Sequence, residues 1–216
     1  MSSFPQHLLE GYRTFTSQRL PTEQSRYREL SEIGQAPEVM VIGCCDSRVS
    51  PEVIFDAGPG ELFVVRNIAN LVPVYQPDGG AHGVSAALEY AVSVLRVKHI
   101  VVLGHAQCGG IRAFIDNIEP LSPGDFIGRW MSMFIKPGER VEQRDHETMQ
   151  DFTIRIEKAA VFRSLENLLT FPFVKAAVER GELSLHGAYF GVAEGSLFVL
   201  DPAAKEFNSV REKTGE

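Results

Sequence analysis

Two short segments carry side chains that could bind a metal ion together. The segment at 44–48 reads CCDSR, and the segment at 105–110 reads HAQCGG. Two thiolates and an imidazole form a ligand set that zinc favours, and three protein ligands leave a fourth position open to water. An open position is typical of catalytic zinc, which lowers the pKa of bound water to about 7. An isolated His-x-x-Cys pair would be weak evidence, because histidine and cysteine are also found in ordinary cores.

The first segment adds a charged pair to this ligand set. Asp46 lies two residues after Cys44, and Arg48 lies two residues further on. At this spacing the guanidinium of Arg48 can bind the carboxylate of Asp46 through two parallel hydrogen bonds beside the metal. The alternative is that Asp46 and Ser47 only cap the helix that follows.

The cysteine content favours metal binding over disulfide formation. The chain has three cysteines, Cys44, Cys45 and Cys108, among 216 residues. An odd number of cysteines in a chain of this size is not a disulfide framework. A bridge between the neighbours Cys44 and Cys45 would need a strained ring.

Both segments follow short apolar runs that predict buried parallel strands. EVMVIG at 38–43 precedes the first segment, and KHIVVLG at 98–104 precedes the second. Ligand sites in parallel α/β sheets lie outside the carboxyl ends of the strands. The two segments are therefore expected to meet at one edge of a sheet.

The rest of the pattern predicts an α/β fold. ELFVVRN at 61–67 is a further strand, and the carboxyl-terminal runs LSLHGAYFGV and SLFVLD form a hairpin. Helices are expected at 51–55, 82–96, 110–118, 145–169 and 172–181. We therefore predict about four parallel strands, an antiparallel edge strand and flanking helices. Residues 1–34 carry an apolar stripe and predict a helical arm broken near Pro21, ahead of a domain at 35–216.

Together the two motifs resemble the signature of the β-carbonic anhydrases, in which Cys-x-Asp-Ser-Arg is followed by His-x-x-Cys-Gly-Gly. GELFVVRNIAN at 60–70 and GGIRAF at 109–114 are similar to the segments that accompany it. The resemblance covers about 35–114 well and continues weakly to the terminal hairpin. It implies one zinc ion per chain, held by Cys44, His105 and Cys108, and the reversible hydration of carbon dioxide to bicarbonate and a proton.

The resemblance also implies roles for residues that spacing alone could not identify. Asp46 orients the nucleophile or becomes the fourth zinc ligand in a closed state, and Arg48 keeps Asp46 ionised and aimed. Substrate contacts are expected from residues that match the plant-like members of the family, namely Gln35, Phe63, Ile68, Tyr90 and the backbone amide of Gly109. Relatives with a regulatory bicarbonate pocket often carry Trp where this chain has Val41, so that pocket is expected to be absent although Arg66 is retained.

Charge and composition limit the partners. The net charge of -7 argues against nucleic acid and anionic membranes as partners. No apolar stretch long enough to span a membrane and no leader pattern is present, so a cytoplasmic protein is expected. The apolar stripe of the arm and the resemblance both predict a homodimer or tetramer, with the arm packed on a neighbouring subunit.

Two other functions remain open from the sequence. A hydrolase of carbonyl sulfide or carbon disulfide would keep every zinc ligand and differ only in substrate access. A non-catalytic zinc-stabilised module would need a fourth Cys or His ligand, and none stands at suitable spacing.

Overall fold

The sheet brings the two predicted ligand segments to the same edge. The computed structural model describes residues 4–117, 120–135 and 141–210. Within these residues, six strands form a sheet in the order β2-β1-β3-β4-β5-β6. Their bounds are β1 Val39–Cys44, β2 Leu62–Asn67, β3 His99–His105, β4 Ser184–Gly191, β5 Ser196–Asp201 and β6 Glu206–Ser209.

The strand directions confirm the predicted fold class. The strands β2, β1, β3 and β4 are parallel, whereas β5 and β6 are antiparallel to their neighbours. The antiparallel edge therefore has two strands where one was predicted. The additional strand β6 carries a single large apolar side chain, Phe207, which packs against Tyr189 and Phe162. Four residues with one apolar position give too little periodicity to identify a strand.

Helices cover the sheet and extend from it at the amino terminus. They are α1 Gln6–Thr14, α2 Leu20–Ile33, α3 Pro51–Ile54, α4 Gly83–Glu89, α5 Gly109–Ile115, α6 Phe126–Ser132, α7 Met149–Leu168 and α8 Pro172–Glu179. π-helical turns at Phe15–Arg19 and Tyr90–Leu95 continue α1 and α4, and a 3-10 turn covers Ile68–Asn70. No helix in the described part of the chain combines the length and the apolar character needed to cross a membrane.

The predicted break near Pro21 is wrong, because residues 6–33 are helical throughout. Pro21 lies in the first turn of α2, where a missing backbone N–H is tolerated. No residue of α1 or α2 is buried, and Leu8, Tyr12 and Ile33 are 50%, 64% and 73% exposed. The apolar stripe of this arm therefore lies largely uncovered on the single chain.

The long helix α7 packs closely on the centre of the sheet. It begins at a Thr148 cap, whose hydroxyl accepts a hydrogen bond from the backbone N–H of Asp151. Its side chain Val161 is fully buried and fills the space that a side chain would need at Gly104 in β3 and at Gly187 in β4. These glycines allow the helix to approach the backbone of the strand that ends at His105.

This close approach gives a prediction for stability. A Cβ atom at Gly104 would lie 2.6 Å from Cγ2 of Val161, and a β-branched side chain in a helix has little freedom to turn away. We expect Gly104→Ala to lower the free energy of unfolding by about 1–3 kcal/mol, measured by urea denaturation. Gly11→Ala is the control, since a Cβ there meets no atom within 4 Å, and it should be neutral or stabilising. Equal urea midpoints for Gly104→Ala and the wild type would contradict this packing.

Candidate metal centre

The side chains of Cys44, His105 and Cys108 converge at the carboxyl ends of β1 and β3. These strands are paired in parallel with Gly43 opposite Leu103, so their last residues and the loops behind them are adjacent. One ligand atom from each of the three residues lies within 4.8 Å of the others. The three residues are 4%, 1% and 1% exposed, so the protein shields them almost completely from bulk water.

The distances within this cluster fit a tetrahedral metal ion. The sulfur atoms of Cys44 and Cys108 are 3.9 Å apart. Two sulfurs at about 2.3 Å from a tetrahedral zinc ion would be about 3.8 Å apart. Nδ1 of His105 is within 2.9 Å of the carbonyl of Ala106, which assigns its proton to that nitrogen. Within the described residues, Nε2 of His105 is buried without a hydrogen-bond partner, as expected for an atom that binds a metal.

Backbone amides surround the two sulfur atoms. The N–H groups of Asp46 and Ala69 donate hydrogen bonds to Cys44, and those of Gly110 and Ile111 donate to Cys108. A hydrogen bond from the Cys108 thiol lowers the pKa of Cys44 to about 4. The same bond, together with burial, raises the pKa of Cys108. Thiolates and not thiols bind metal ions, so metal binding must displace the thiol protons of this pair.

Asp46 and Arg48 form the predicted two-point pair beside the cluster. Nε of Arg48 donates to Oδ1 of Asp46 at 2.9 Å, and Nη2 donates to Oδ2 at 2.8 Å. The Arg48 guanidinium holds the pKa of Asp46 well below its usual range. Nη2 of Arg48 also donates to the carbonyl of Gln107 at 3.0 Å. Arg48 thus ties the first ligand segment to the second.

Comparison with known proteins agrees with this geometry. A sequence model of the carbonic anhydrase family matches residues 39–197. Beta carbonic anhydrase 3 of Arabidopsis thaliana is 36% identical over 202 residues, which cover 91% of this chain and 77% of that protein. The chain belongs to the β-carbonic anhydrase family. It is accordingly an enzyme, a carbonic anhydrase of the lyase class.

Solved structures of β-carbonic anhydrases have the same fold. The β-carbonic anhydrase CcaA superimposes with a TM-score of 0.85 at 27% identity, covering 96% of this chain and 92% of that one. Tetrameric β-carbonic anhydrases of the filamentous ascomycete Sordaria macrospora superimpose with a TM-score of 0.77 at 29% identity, covering 90% of this chain and 95% of that one.

The structure brings some of the expected substrate residues of this β-carbonic anhydrase together. The rings of Phe63 and Tyr90 are in contact, with centroids 5.9 Å apart. Ile68 packs in the apolar cluster that contains both ligand cysteines. Gly109 begins α5 directly after Cys108, and a Cβ there would meet no atom within 4 Å. Gln35 lies in the exposed link before β1, and in the described ranges no hydrogen bond joins it to the metal cluster.

Arg66 contacts the first ligand segment in a way that the sequence did not predict. Its Nε donates to the carbonyl of Cys44 at 2.8 Å, and its Nη2 donates to the carbonyl of Asp46 at 2.7 Å. In this β-carbonic anhydrase the retained arginine therefore fixes the backbone that carries Cys44 and Asp46. Its position in the sequence gives no signal of this contact, because its partners are backbone atoms.

Sequence reasoning also missed Glu157 and Tyr189. The Glu157 carboxylate is 2% exposed and accepts hydrogen bonds from the backbone N–H of Cys108 and the hydroxyl of Tyr189. Burial raises the pKa of Glu157, although these bonds oppose the increase. Glu157 is four residues before Val161 and seven before Ser164, so it lies on the same face of the helix as these residues. A glutamate on the sheet-facing side of a helix was the available signal that its carboxylate is buried.

The geometry distinguishes the two adjacent cysteines. Cys45 is exposed and lies outside the ligand group, whereas Cys44 is buried within it. We expect Cys44→Ser, His105→Ala and Cys108→Ser to lose bound divalent metal, and Cys45→Ser to keep a wild-type amount. Elemental analysis of the purified variants tests this. Loss of metal from Cys45→Ser, or full metal in any of the other three, would contradict the assigned ligand set.

Proposed function

We propose that this chain catalyses the reversible hydration of carbon dioxide with a zinc ion held by Cys44, His105 and Cys108. The observation that supports zinc is the compact group of two thiols and one imidazole, whose sulfur separation of 3.9 Å suits tetrahedral coordination. Sulfur and imidazole ligands favour zinc over magnesium or calcium, which prefer oxygen. Three protein ligands leave one position at which zinc would acidify water and so supply the nucleophile.

The charged pair would orient the reacting groups. Asp46 accepts two hydrogen bonds from the Arg48 side chain and one from its backbone N–H at 3.0 Å. Its carboxylate therefore stays ionised and fixed beside the ligand cluster. In this position it would accept a hydrogen bond from the nucleophile and so fix the direction of attack. The closed alternative, with Asp46 as fourth ligand, would require its carboxylate to leave Arg48.

The remaining residues would form the substrate pocket. We assign Phe63, Ile68 and Tyr90 to its apolar wall, supported by the ring contact of Phe63 with Tyr90 and by the position of Ile68 beside the ligand cysteines. The Gly109 amide and the Gln35 side chain would donate hydrogen bonds to substrate oxygens. Open space at Gly109 supports the first of these roles.

Assembly would complete the enzyme. We propose that residues 1–34 are an arm that packs on a neighbouring subunit, and that 35–216 form the catalytic domain. The uncovered apolar side chains of the arm support this division, as do the tetrameric relatives from Sordaria macrospora. Dimer and tetramer both remain compatible with the arm. The cytoplasm stays the predicted compartment.

The alternatives receive less support. No feature of the described residues favours the hydrolysis of carbonyl sulfide or carbon disulfide. A zinc-stabilised module without activity would leave the Asp46 and Arg48 pair without a role, and within the described residues the ligand group contains no fourth Cys or His.

The function is tested by measuring zinc content and carbon dioxide hydration on the same sample. We expect about one zinc per chain and stopped-flow hydration activity in the wild type. Asp46→Ala and Arg48→Ala should keep zinc and lose activity on the order of 10–100-fold. Without Arg48 the ordinary pKa of an aspartate, about 3.9, would still leave Asp46 ionised at neutral pH, so the loss would report orientation.

Arg112→Ala is the matched control for this experiment. Arg112 in α5 forms an exposed pair with Asp116 at the end of the same helix, and it should be replaceable without loss of rate. Zinc-loaded wild type that does not hydrate carbon dioxide would refute the proposed function. Parallel assays with carbonyl sulfide and carbon disulfide distinguish the alternative hydrolases.

The arm gives a separate prediction. Leu8→Asp combined with Tyr12→Asp places two charges on the exposed apolar stripe, and we expect this variant to have a lower molar mass by light scattering than the intact chain. Glu10→Ser, between these positions but outside the stripe, is the control and should leave the mass unchanged. A wild-type chain that is monomeric and fully active would show that the arm has no role in assembly.

A further inference from the structure

The helix α7 supplies buried polar side chains to the backbone of the site loops. Ser164 and Asn167 are 0% and 6% exposed. Ser164 accepts from the backbone N–H of Val72 and donates to the carbonyl of Asn70, and Asn167 donates to the carbonyl of Val72. These bonds hold the loop that follows β2. Glu157 makes the corresponding contacts with the loop that follows β3.

The carboxylate of Glu157 joins two parts of the molecule. Oε1 accepts from the backbone N–H of Cys108 at 2.9 Å, and Oε2 accepts from the hydroxyl of Tyr189 at 2.6 Å. The backbone N–H of Gln107 lies close enough to help lower the pKa of this carboxyl group. Burying a carboxyl group costs free energy, and replacing buried charged groups by apolar ones is often neutral or stabilising. The position of Glu157 therefore points to a role in the site and not to stability alone.

Both ends of this connection are fixed by the sheet. Tyr189 lies in β4 directly opposite Gly104, which precedes His105 in β3. Val161, one helical turn after Glu157, packs against Gly104. Glu157 is thus held between a strand and the ligand loop, with little room to move.

The loop that Glu157 contacts has a conformation that needs support. Gln107 has a φ of +58°, in the left-handed region that non-glycine residues rarely adopt. Such residues persist where surrounding contacts over-determine them. The carbonyl of Gln107 also accepts from Arg48, so the orientation of this peptide affects both the ligand Cys108 and the pair formed by Arg48 with Asp46.

We propose that Glu157, anchored by Tyr189, is a positioning residue for the metal centre, because it fixes the peptide group between Gln107 and Cys108 and thereby the direction of the Cys108 thiolate. This inference rests on the proposed zinc function. It assigns to α7 a carboxylate that touches neither substrate nor metal and acts only through the ligand loop.

The test compares Glu157→Ala and Glu157→Gln with the wild type. Zinc affinity is measured by competition with a chelator, and the cobalt-substituted proteins are compared by visible absorption, which reports thiolate bonding and coordination geometry. We expect Glu157→Ala to bind zinc about 10–100-fold more weakly and to show an altered cobalt spectrum. Glu157→Gln keeps an acceptor for the Cys108 N–H and should remain near the wild type in both measurements.

Ser164→Ala is the matched control, because it removes equally buried hydrogen bonds of α7 from the other loop. It should lower the free energy of unfolding and leave zinc affinity and the cobalt spectrum unchanged. If Ser164→Ala weakened zinc binding as much as Glu157→Ala does, the proposal would be overturned. It would also be overturned if Glu157→Gln were as impaired as Glu157→Ala. Wild-type affinity in Glu157→Ala would overturn it directly.

A second variant covers the case in which Glu157→Ala does not fold. Tyr189→Phe removes the hydrogen bond to one oxygen of Glu157 and alters no residue of the ligand loop. It should weaken zinc binding and shift the cobalt spectrum in the same direction as Glu157→Ala. Wild-type behaviour of Tyr189→Phe would then reject the proposal. A wild-type chain that fails to bind zinc would instead refute the proposed function, so the two failures can be told apart.

Discussion

The parallel pairing of β1 with β3 is the constraint on which the rest of the site depends. Cys44 ends one strand and His105 ends the other, and only this adjacency places a thiol from the first loop near the imidazole and thiol of the second. A shift of the register by one residue would turn one ligand to the opposite face of the sheet. The fully buried residues Met40, Ile42, Ile100 and Val102 lie on one face of the two strands and pack in a single apolar cluster, which opposes such a shift. The geometry of the candidate metal site therefore depends on aliphatic packing several residues away.

The loops at the ends of these strands are held mainly by hydrogen bonds to backbone atoms. Arg66 binds two carbonyls of the first loop, Arg48 binds a carbonyl of the second, and Glu157 accepts from the Cys108 amide of the second. Ala69 and Gln107 have left-handed backbone conformations, so the peptide groups beside them point in directions that a regular turn would not give. Strain of this kind is stable only where several contacts oppose its release. These contacts hold the site loops in place without the help of substrate, which suits a reaction that needs aligned groups more than large motions.

Sequence reasoning was most successful where the chemistry is local. Ligands, the Asp46 and Arg48 pair and the strands before them are contained in short motifs, so spacing and resemblance were sufficient to propose them, and the structure brings the three ligand side chains together. Sequence reasoning failed for contacts between distant segments, such as Glu157 with Cys108. A single buried glutamate in an amphipathic helix does not identify its partner. The helix α6 and the strand β6 were missed because each is short and lacks clear periodicity. Pro21 was misread because a proline in the first turn of a helix leaves the same sequence signal as a break.

The short strand β6 also has a consequence for the behaviour of the chain in concentrated solution. A sheet edge exposes unpaired backbone groups that can template the addition of strands from other molecules. β6 ends the sheet with four residues, of which Glu206, Asn208 and Ser209 are exposed while Phe207 is turned inward against aromatic rings. An edge this brief, polar and internally anchored is a poor template for intermolecular strand addition. It also covers the edge of strand β5, which would otherwise be open to strands from other molecules.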